Sequence, residues 1–181
     1  IKSNVIGELK QMGRTAGWWG SKPVEIPFFD NQKMKIIFAD FVPENDTEFV
    51  KDADEALRLF LKKPREDRLS LSHLVHANCM DFLNSVVLDD YLRPFSEIKD
   101  PNKIWDFVRP IEEIVLSRRH HRDQDIYLQI NCRCDWEQEH GLQLVFRQGR
   151  KITRISERDG HLTEADAFGK PDSEDELLSK F

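Results

Sequence analysis

The sequence predicts an α+β domain whose antiparallel sheet is covered on one face by two helices. Three observations carry this prediction: an extended hairpin pattern over residues 22–42, helical periodicity over 52–87, and strand-like periodicity again over 104–157. A chain that runs from strands to helices and back to strands is typical of the α+β class. We therefore predict two N-terminal and about four C-terminal strands, with the two helices between them packed on one face.

The segment 22–42 has the pattern of a β-hairpin. Apolar residues alternate over 24–28, and a second run rich in Ile and Phe covers 33–41. The polar residues 30–32 between them form a compact turn, which is the usual hairpin signal. Pro27 has no N–H to donate to a strand ladder, so its position predicts an edge strand or a bulge.

The segment 52–87 changes to helical spacing and predicts two helices. Asp52 is the expected cap of the first helix, and Pro64 is expected to end it. The second helix is expected over residues 67–87, with an apolar stripe along one side. Neither helix is expected to be stable alone, so each should bury its apolar side against the sheet.

The segment 104–157 predicts an antiparallel meander of about four strands. Its clearest part is the strict alternation over 126–132, and the turn at 148–150 separates two later apolar runs. The remaining residues, 169–181, form an acidic tail that could either dock as a short helix or fray. Residues 1–181 are expected to form one domain.

Composition excludes several classes of function. The net charge is −6, which disfavours nucleic-acid binding because phosphate contacts need clustered basic residues. The run Arg118-Arg119-His120-His121-Arg122 is flanked by aspartates, and we predict a solvated strand end there. No apolar run reaches the roughly 20 residues of a membrane helix. Three cysteines favour a reducing compartment, and no signal-peptide pattern is visible, so a cytoplasmic location is expected.

Cys132 and Cys134 continue the apolar row of the strand over 126–132, because alternate residues of a strand share one face. Buried cysteine behaves as a small hydrophobe. Their one-residue spacing also differs from the spacing usual for zinc thiolates. We predict that both thiols are core residues.

The densest group of reactive side chains follows this strand. Carboxylates and imidazoles can bind a divalent ion or act as acid and base, and the next hairpin should bring residues 159–161 back towards the loop at 137–140. The candidate metal ligands are Glu137, Glu139, His140, Asp159 and His161. Two alternatives stay open: a solvated acidic turn, and a purely architectural loop whose carboxylates cap backbone amides.

Tryptophans offer candidate binding residues. Trp136 lies inside the acidic group and could anchor either the core or an interface. Trp18 and Trp19 are adjacent between glycines, so in an extended segment one of them should face outward. The complete set of predicted binding residues is Trp18, Trp19, Asp135, Trp136, Glu137, Glu139, His140, Asp159 and His161.

A C-terminal signature resembles that of an uncharacterised bacterial protein family, a domain of unknown function. It consists of the run Cys134-Asp135-Trp136-Glu137-Gln138-Glu139-His140-Gly141-Leu142-Gln143-Leu144-Val145-Phe146, then Arg154-Ile155-Ser156 and Asp159-Gly160-His161-Leu162-Thr163. Gly17-Trp18-Trp19 and the Ala53-to-Leu61 helix are similar to that family too. The resemblance implies a bacterial, cytoplasmic α+β protein, loosely immunity-like, and it implies no catalytic residue.

These observations favour a non-enzymatic protein-binding module without a cofactor. An acidic binding face would suit a basic protein partner, such as a toxin, because complementary charge speeds association. The alternative is a metal-binding protein or a metal-dependent hydrolase that uses the 137–140 loop with Asp159 and His161. We expect no nucleic-acid or membrane partner.

Overall fold

The computed structural model describes residues 1–13, 16–119 and 122–179. The predicted N-terminal hairpin forms, with Val24 paired antiparallel to Met34. Its turn holds Asp30 and Asn31 at positive φ, a conformation that Asp and Asn tolerate better than most residues. The strands before the helices are β1 (Lys2–Ser3), β2 (Gly7–Glu8), β3 (Lys10–Gln11), β4 (Trp19–Gly20), β5 (Val24–Ile26) and β6 (Gln32–Phe38).

Pro27 ends the first strand of the hairpin instead of lying within it. It begins a short 3-10 helix over Pro27–Phe29, where the fixed φ of proline suits the first helical position. The predicted edge-strand or bulge position for Pro27 is therefore replaced by a helical turn. This turn buries Phe28 and Phe29 in the core.

The helical region contains α1 (Phe49–Phe60), α2 (Arg65–Ser70) and α3 (Ser72–Ser85). The predicted second helix is thus interrupted at Leu71. The Ser72 hydroxyl donates to the Leu69 carbonyl (2.6 Å) and accepts from the Trp105 indole (2.9 Å), contacts that no periodicity reveals. Asp52 is not the cap of α1, since the helix begins earlier, after Glu48.

After α4 (Arg93–Ser96) and a 3-10 helix (Pro101–Phe107), the chain forms the predicted meander. Its strands are β7 (Val108–Arg118), β8 (Ile126–Cys134), β9 (Leu142–Arg147) and β10 (Lys151–Ser156). Each of these strands pairs antiparallel with the next. The alternating hydrophobic pattern therefore located this half of the sheet correctly.

The main sheet has eight strands in the order β10-β9-β8-β7-β6-β4-β3, with β5 paired to β6. One neighbouring pair is parallel, since Ile36 of β6 lies opposite Ile114 of β7. The coarse prediction of an α+β fold with a mostly antiparallel sheet is confirmed, but the predicted strand number and all-antiparallel arrangement are wrong. The helical crossover between β6 and β7 returns the chain to the end of the sheet at which β6 begins, so the two strands run parallel. The strand number was underestimated because β3 and β4 are too short to produce a periodic signal.

One side of the sheet, here called the helix face, packs against α1 and α3. Aromatic rings fill its centre: Phe146 lies 5.5 Å from Phe28 and 5.2 Å from Phe60 between ring centroids. Cys132 and Cys134 are buried in this core, so their predicted packing role is confirmed. Burial raises the pKa of the Cys134 thiol to about 12, which keeps it protonated.

The opposite side of the same strands, here called the polar face, presents Ser117, Gln129, Asn131 and Gln143 at alternate positions. Part of it lies under the chain after β10, where Gln143 Nε2 donates to the His161 carbonyl (3.0 Å). That covering segment contains α5 (Glu164–Phe168), a 3-10 helix (Asp172–Glu174) and α6 (Glu176–Ser179). Lys180 and Phe181 of the predicted tail lie outside the described residues.

Candidate functional site

The loop between β8 and β9 holds most of the predicted site residues. The Glu137 carboxylate accepts hydrogen bonds from the backbone N–H groups of Glu139 (2.8 Å) and His140 (2.8 Å). Gly141 has a φ of 71°, and a Cβ there would come within 2.6 Å of the Cys132 carbonyl oxygen. Glu137 and Gly141 therefore close the loop, which is the arrangement expected of the architectural alternative.

Trp136 is a buried residue of the core. It is 2% exposed and packs in the core below the loop. A large aromatic side chain at the end of a strand gains most from burial against apolar contacts, and the helix face offers them. Trp136 therefore takes the core position, one of the two that the sequence left open for it.

The predicted metal-ligand set is assembled only in part. In the described part of the chain, one group of potential ligands converges: Glu137, His140 and Glu157, with ligand atoms within 4.8 Å of one another. Glu139, Asp159 and His161 lie outside this group. Glu157 joins it because β10 ends one residue earlier, beside the loop.

Asp159 is held by other side chains. It forms an ion pair with Arg154, which is 4% exposed. It also accepts hydrogen bonds from Gln143 Nε2 (2.8 Å) and from the backbone N–H of His161 (3.0 Å). Gln143 and Arg154 belong to the segments that carry the family resemblance, but neither was predicted as a site residue, because both occupy strand positions. Asp159 thus fixes the turn that presents His161.

An exposed apolar segment lies beside the loop. Val86, Val87, Leu88 and Tyr91 are exposed, and Val87 is 91% exposed. The Tyr91 hydroxyl donates to the Asp135 carbonyl (2.9 Å) and accepts from the Gln138 amide. We call this region the apolar–acidic surface; it comprises Val86, Val87, Leu88, Asp89, Asp90, Tyr91, Asp135 and Glu139.

Carboxylates adjoin the exposed apolar segment: Asp89 and Asp90 follow its aliphatic residues directly in sequence, and the Asp135 carbonyl accepts from Tyr91. The Asp89 carboxylate accepts from the backbone N–H of Leu92 (2.8 Å). The Asp90 side chain is 98% exposed, and its Oδ1 lies 3.3 Å from the Arg93 guanidinium. Asp135 is paired with Arg109. Exposed ion pairs of this kind contribute little to stability, so the rim remains available to a charged partner.

Trp18 and Trp19 face opposite ways. Trp19 donates from Nε1 to the Phe41 carbonyl (3.2 Å) and packs against the core. Trp18 donates from Nε1 to Asp40 Oδ1 (3.3 Å) and lines a cleft of about 400 Å³ on the polar face. His161 lines the same cleft. Two predicted binding residues that are far apart in sequence therefore share one cavity.

The basic run makes buried ion pairs that the sequence did not predict. Arg119 is 3% exposed and pairs with Asp123 (2.8 Å), Asp166 (2.7 Å) and Asp172 (2.7 Å). The predicted solvated strand end is therefore wrong for Arg119, which ties the C-terminal segment to β7. The flanking aspartates were the signal that could have found it. His120 and His121 lie outside the described residues.

Arg118 makes a second ionic group at the end of β7. It forms an ion pair with Asp46 and lies 2.9 Å from Asp52. The hydrogen bond from Arg118 holds the pKa of the Asp46 carboxyl below its ordinary value, because it favours the charged form. Asp52, which the sequence suggested as a helix cap, is therefore an ion-pair partner.

The fold defines an α+β protein built on one mostly antiparallel sheet. The chain belongs to the DUF6985 family, a domain of unknown function, whose sequence profile matches residues 5–162. No curated protein and no solved structure gives a significant match. Within the described residues, no helix has the length and apolar character needed to cross a membrane.

Proposed function

We propose that this protein is a non-enzymatic binding module that docks a basic protein through the apolar–acidic surface. One observation carries the proposal: of six large apolar side chains exposed in the described part of the chain, four lie within residues 86–91. Contiguous exposed apolar side chains with a polar rim mark interaction sites. Isolated exposed residues, such as Val42 and Phe168, need no such explanation.

Tyr91 is the expected anchor of this interface. Its ring packs edge-on against Phe95 at a centroid distance of 6.0 Å, and Phe95 packs against Phe107 at 5.1 Å. The chain of rings connects the surface to the core, while the Tyr91 hydroxyl is held by Asp135. Aromatic residues that are already ordered lose little conformational entropy on binding, which is why they dominate interface energetics.

Charge selects the partner. Asp89, Asp90 and Glu139 are exposed at the rim, and the whole chain carries a net charge of −6. Complementary charge raises the association rate and disfavours wrong partners. A partner that surrounds an apolar contact with Lys and Arg fits this surface. A basic toxin, bound in an immunity-like relationship in the bacterial cytoplasm, is the partner class that the sequence resemblance favours.

A peptide-display selection tests this proposal. The wild-type protein is used as bait for random peptides, with counter-selection on the Val87→Asp, Leu88→Asp double variant. We expect enriched peptides that combine aromatic or leucine residues with Lys and Arg. Their synthetic forms should bind the Tyr91→Ala variant at least about tenfold more weakly, since losing an anchor typically costs more than 1 kcal/mol.

The control is Val42→Asp, which adds a single aspartate at an exposed valine outside the apolar–acidic surface. It should bind the selected peptides as the wild type does. Asp89→Lys with Asp90→Lys should slow association, with the difference shrinking at high salt. Peptides that lack basic residues, or that bind the wild type and the double variant equally, would refute the proposal.

A second candidate function, divalent metal binding, is favoured by the convergence of Glu137, His140 and Glu157. It is tested by thermal melts of chelator-treated protein with zinc, calcium or manganese. A native-state site predicts a concentration-dependent rise in Tm that His140→Ala and Glu157→Gln abolish and His161→Ala does not. If no ion raises the Tm, or if the rise persists in His140→Ala, this candidate fails.

A further inference from the structure

The cleft on the polar face is bounded by two walls that come from opposite ends of the chain. Trp18 and Asp40 form one wall, and the turn at Gly160 and His161 forms the other. The floor consists of strand positions on β7 and β8. Its volume of about 400 Å³ lies within the range of small-molecule sites.

The floor is made of amide and hydroxyl side chains: Ser117, Gln129 and Asn131. Gln129 is fixed, because its Nε2 donates to Gln143 Oε1 (2.7 Å). Gln143 in turn donates to Asp159 (2.8 Å). Side chains mounted on a sheet and locked by such a network are suited to orient a ligand.

Asn131 differs from Gln129, because its Oδ1 is buried and has no hydrogen-bond partner in the described residues. Buried polar atoms are normally paired, so an unpaired one requires an explanation. The terminal torsion of Asn is broad and roughly two-fold. Rotation of the amide breaks no bond at Oδ1, so Asn131 can present either an acceptor or a donor to a ligand in the cleft.

The Asp159-Gly160-His161 turn is positioned to serve the same cleft. Gln143 Nε2 donates to the His161 carbonyl (3.0 Å), and the backbone N–H of His161 donates to Asp159 (3.0 Å). These bonds hold the turn against the floor network. The motif that sequence reasoning singled out therefore forms a wall of the cleft and does not join the metal-ligand group.

Both arginines that line the cleft are already paired with aspartates. Arg119 is paired with three aspartates, and Arg118 with Asp46 and Asp52. Neither guanidinium is free to bind a phosphate or carboxylate. Asp40 accepts from the Trp18 indole, and Asp166 is occupied by Arg119. No unpaired guanidinium lies among the described lining residues, so the cleft disfavours an anionic ligand, and the Asp40 carboxylate can accept a hydrogen bond from a ligand hydroxyl.

We propose that this cleft binds a neutral saccharide unit. A sugar hydroxyl both donates and accepts, which matches an amide that can present either atom. The Trp18 wall offers an apolar surface for the C–H groups of a sugar ring. His161 and Gln129 complete the polar contacts. This site lies apart from the apolar–acidic surface and does not depend on the function proposed for it.

Saccharide binding is tested by two-dimensional ¹H–¹⁵N NMR of the full chain. The probes are glucose, galactose, mannose, N-acetylglucosamine, maltose and cellobiose, with inorganic phosphate and adenosine as separate arms. At least one saccharide should cause saturable shifts of the Trp18 indole N–H and the Asn131 side-chain amide. Asn131→Ala should weaken this binding about tenfold, as expected for losing its hydrogen bonds.

Two controls make the outcome decisive. Asn84→Ala removes an exposed amide on α3 and should leave binding unchanged. The Tm of Asn131→Ala should equal that of the wild type, because Oδ1 makes no bond within the described protein. No saccharide response, a response that Asn131→Ala leaves intact, or a response to phosphate or adenosine alone would overturn the proposal.

Discussion

The two faces of the central sheet are covered by different chemistry. The helix face is closed by Phe28, Phe60 and Phe146, whose rings meet in the core. The polar face is covered by hydrogen bonds and by the ion pairs of Arg119. Apolar burial is non-directional and dominates stability, whereas polar cover is directional and leaves defined gaps. Apolar packing therefore closes one side of the sheet, whereas polar cover leaves a cleft on the other.

The largest expected effect is the low thiol reactivity of the helix face, where Cys79, Cys132 and Cys134 are buried. Cys79 and Cys134 lie in the core, and burial raises the pKa of each to about 12 from an ordinary value of 9.0. The reactive thiolate fraction at pH 8 should therefore fall about a thousandfold. Native protein should react with a thiol reagent only as fast as it unfolds. Rapid labelling without urea would contradict the closed helix face.

Replacement of Phe146 by Ala should cost about 3–5 kcal/mol, because it removes a ring that contacts two other rings and leaves a cavity. The free energy of unfolding is measured by urea denaturation. Val145→Ala is the matched control: it changes the next residue of β9, which faces the other side and is also buried. An equal loss for both variants would remove the distinction between the faces.

Arg119→Met should lower the free energy of unfolding by about 2–3 kcal/mol. This is less than the cost of breaking a fully buried ion pair, because the partner aspartates are partly exposed. The C-terminal segment should lose its attachment to β7, so hydrogen exchange over residues 163–175 should speed up. Arg65→Met, which removes an exposed side chain 3.5 Å from Asp30, serves as the control. Unchanged exchange would mean that other contacts hold the segment.

The smallest expected effect is a dependence of stability on acid pH. Arg118 lowers the pKa of Asp46, and Arg119 lowers that of Asp172. A carboxyl whose folded pKa is depressed contributes stability above its unfolded pKa, near 3.8, and loses it as pH falls further. The Tm should decline below about pH 4, and Arg118→Met should flatten the decline. Parallel curves for both proteins would disprove the coupling.

Regular periodicity explains why much of the fold was predictable. The alternation in β8 identified a strand, its apolar side and the burial of Cys132 and Cys134, because a period of two assigns residues to faces directly. The hairpin around Asp30 and Asn31 was equally visible in its turn residues. The parallel pairing of β6 with β7 was not visible in the sequence, because it depends on the end of the sheet to which the crossover returns the chain.

The candidate sites were predictable only as residue types. The sequence marked Trp18, Asp159 and His161 as notable, but it grouped His161 with the loop at 137–140. Tertiary structure joined Glu157 to that loop and Trp18 to His161. Residues 86 and 87 were predicted to end the second helix, which in the structure ends at Ser85. Their exposure was not predicted, because apolar residues at helical spacing could as well continue a buried helix face.

The sequence by itself determined the α+β class, the meander and the buried row of β8, because local periodicity and turn chemistry encode them. Only the tertiary structure decided which distant residues meet: Arg119 with Asp166 and Asp172, Tyr91 with Asp135, and Trp18 with His161 across the cleft. The physical reason is that faces follow from spacing along the chain, whereas contacts between elements follow from packing that the whole chain settles together.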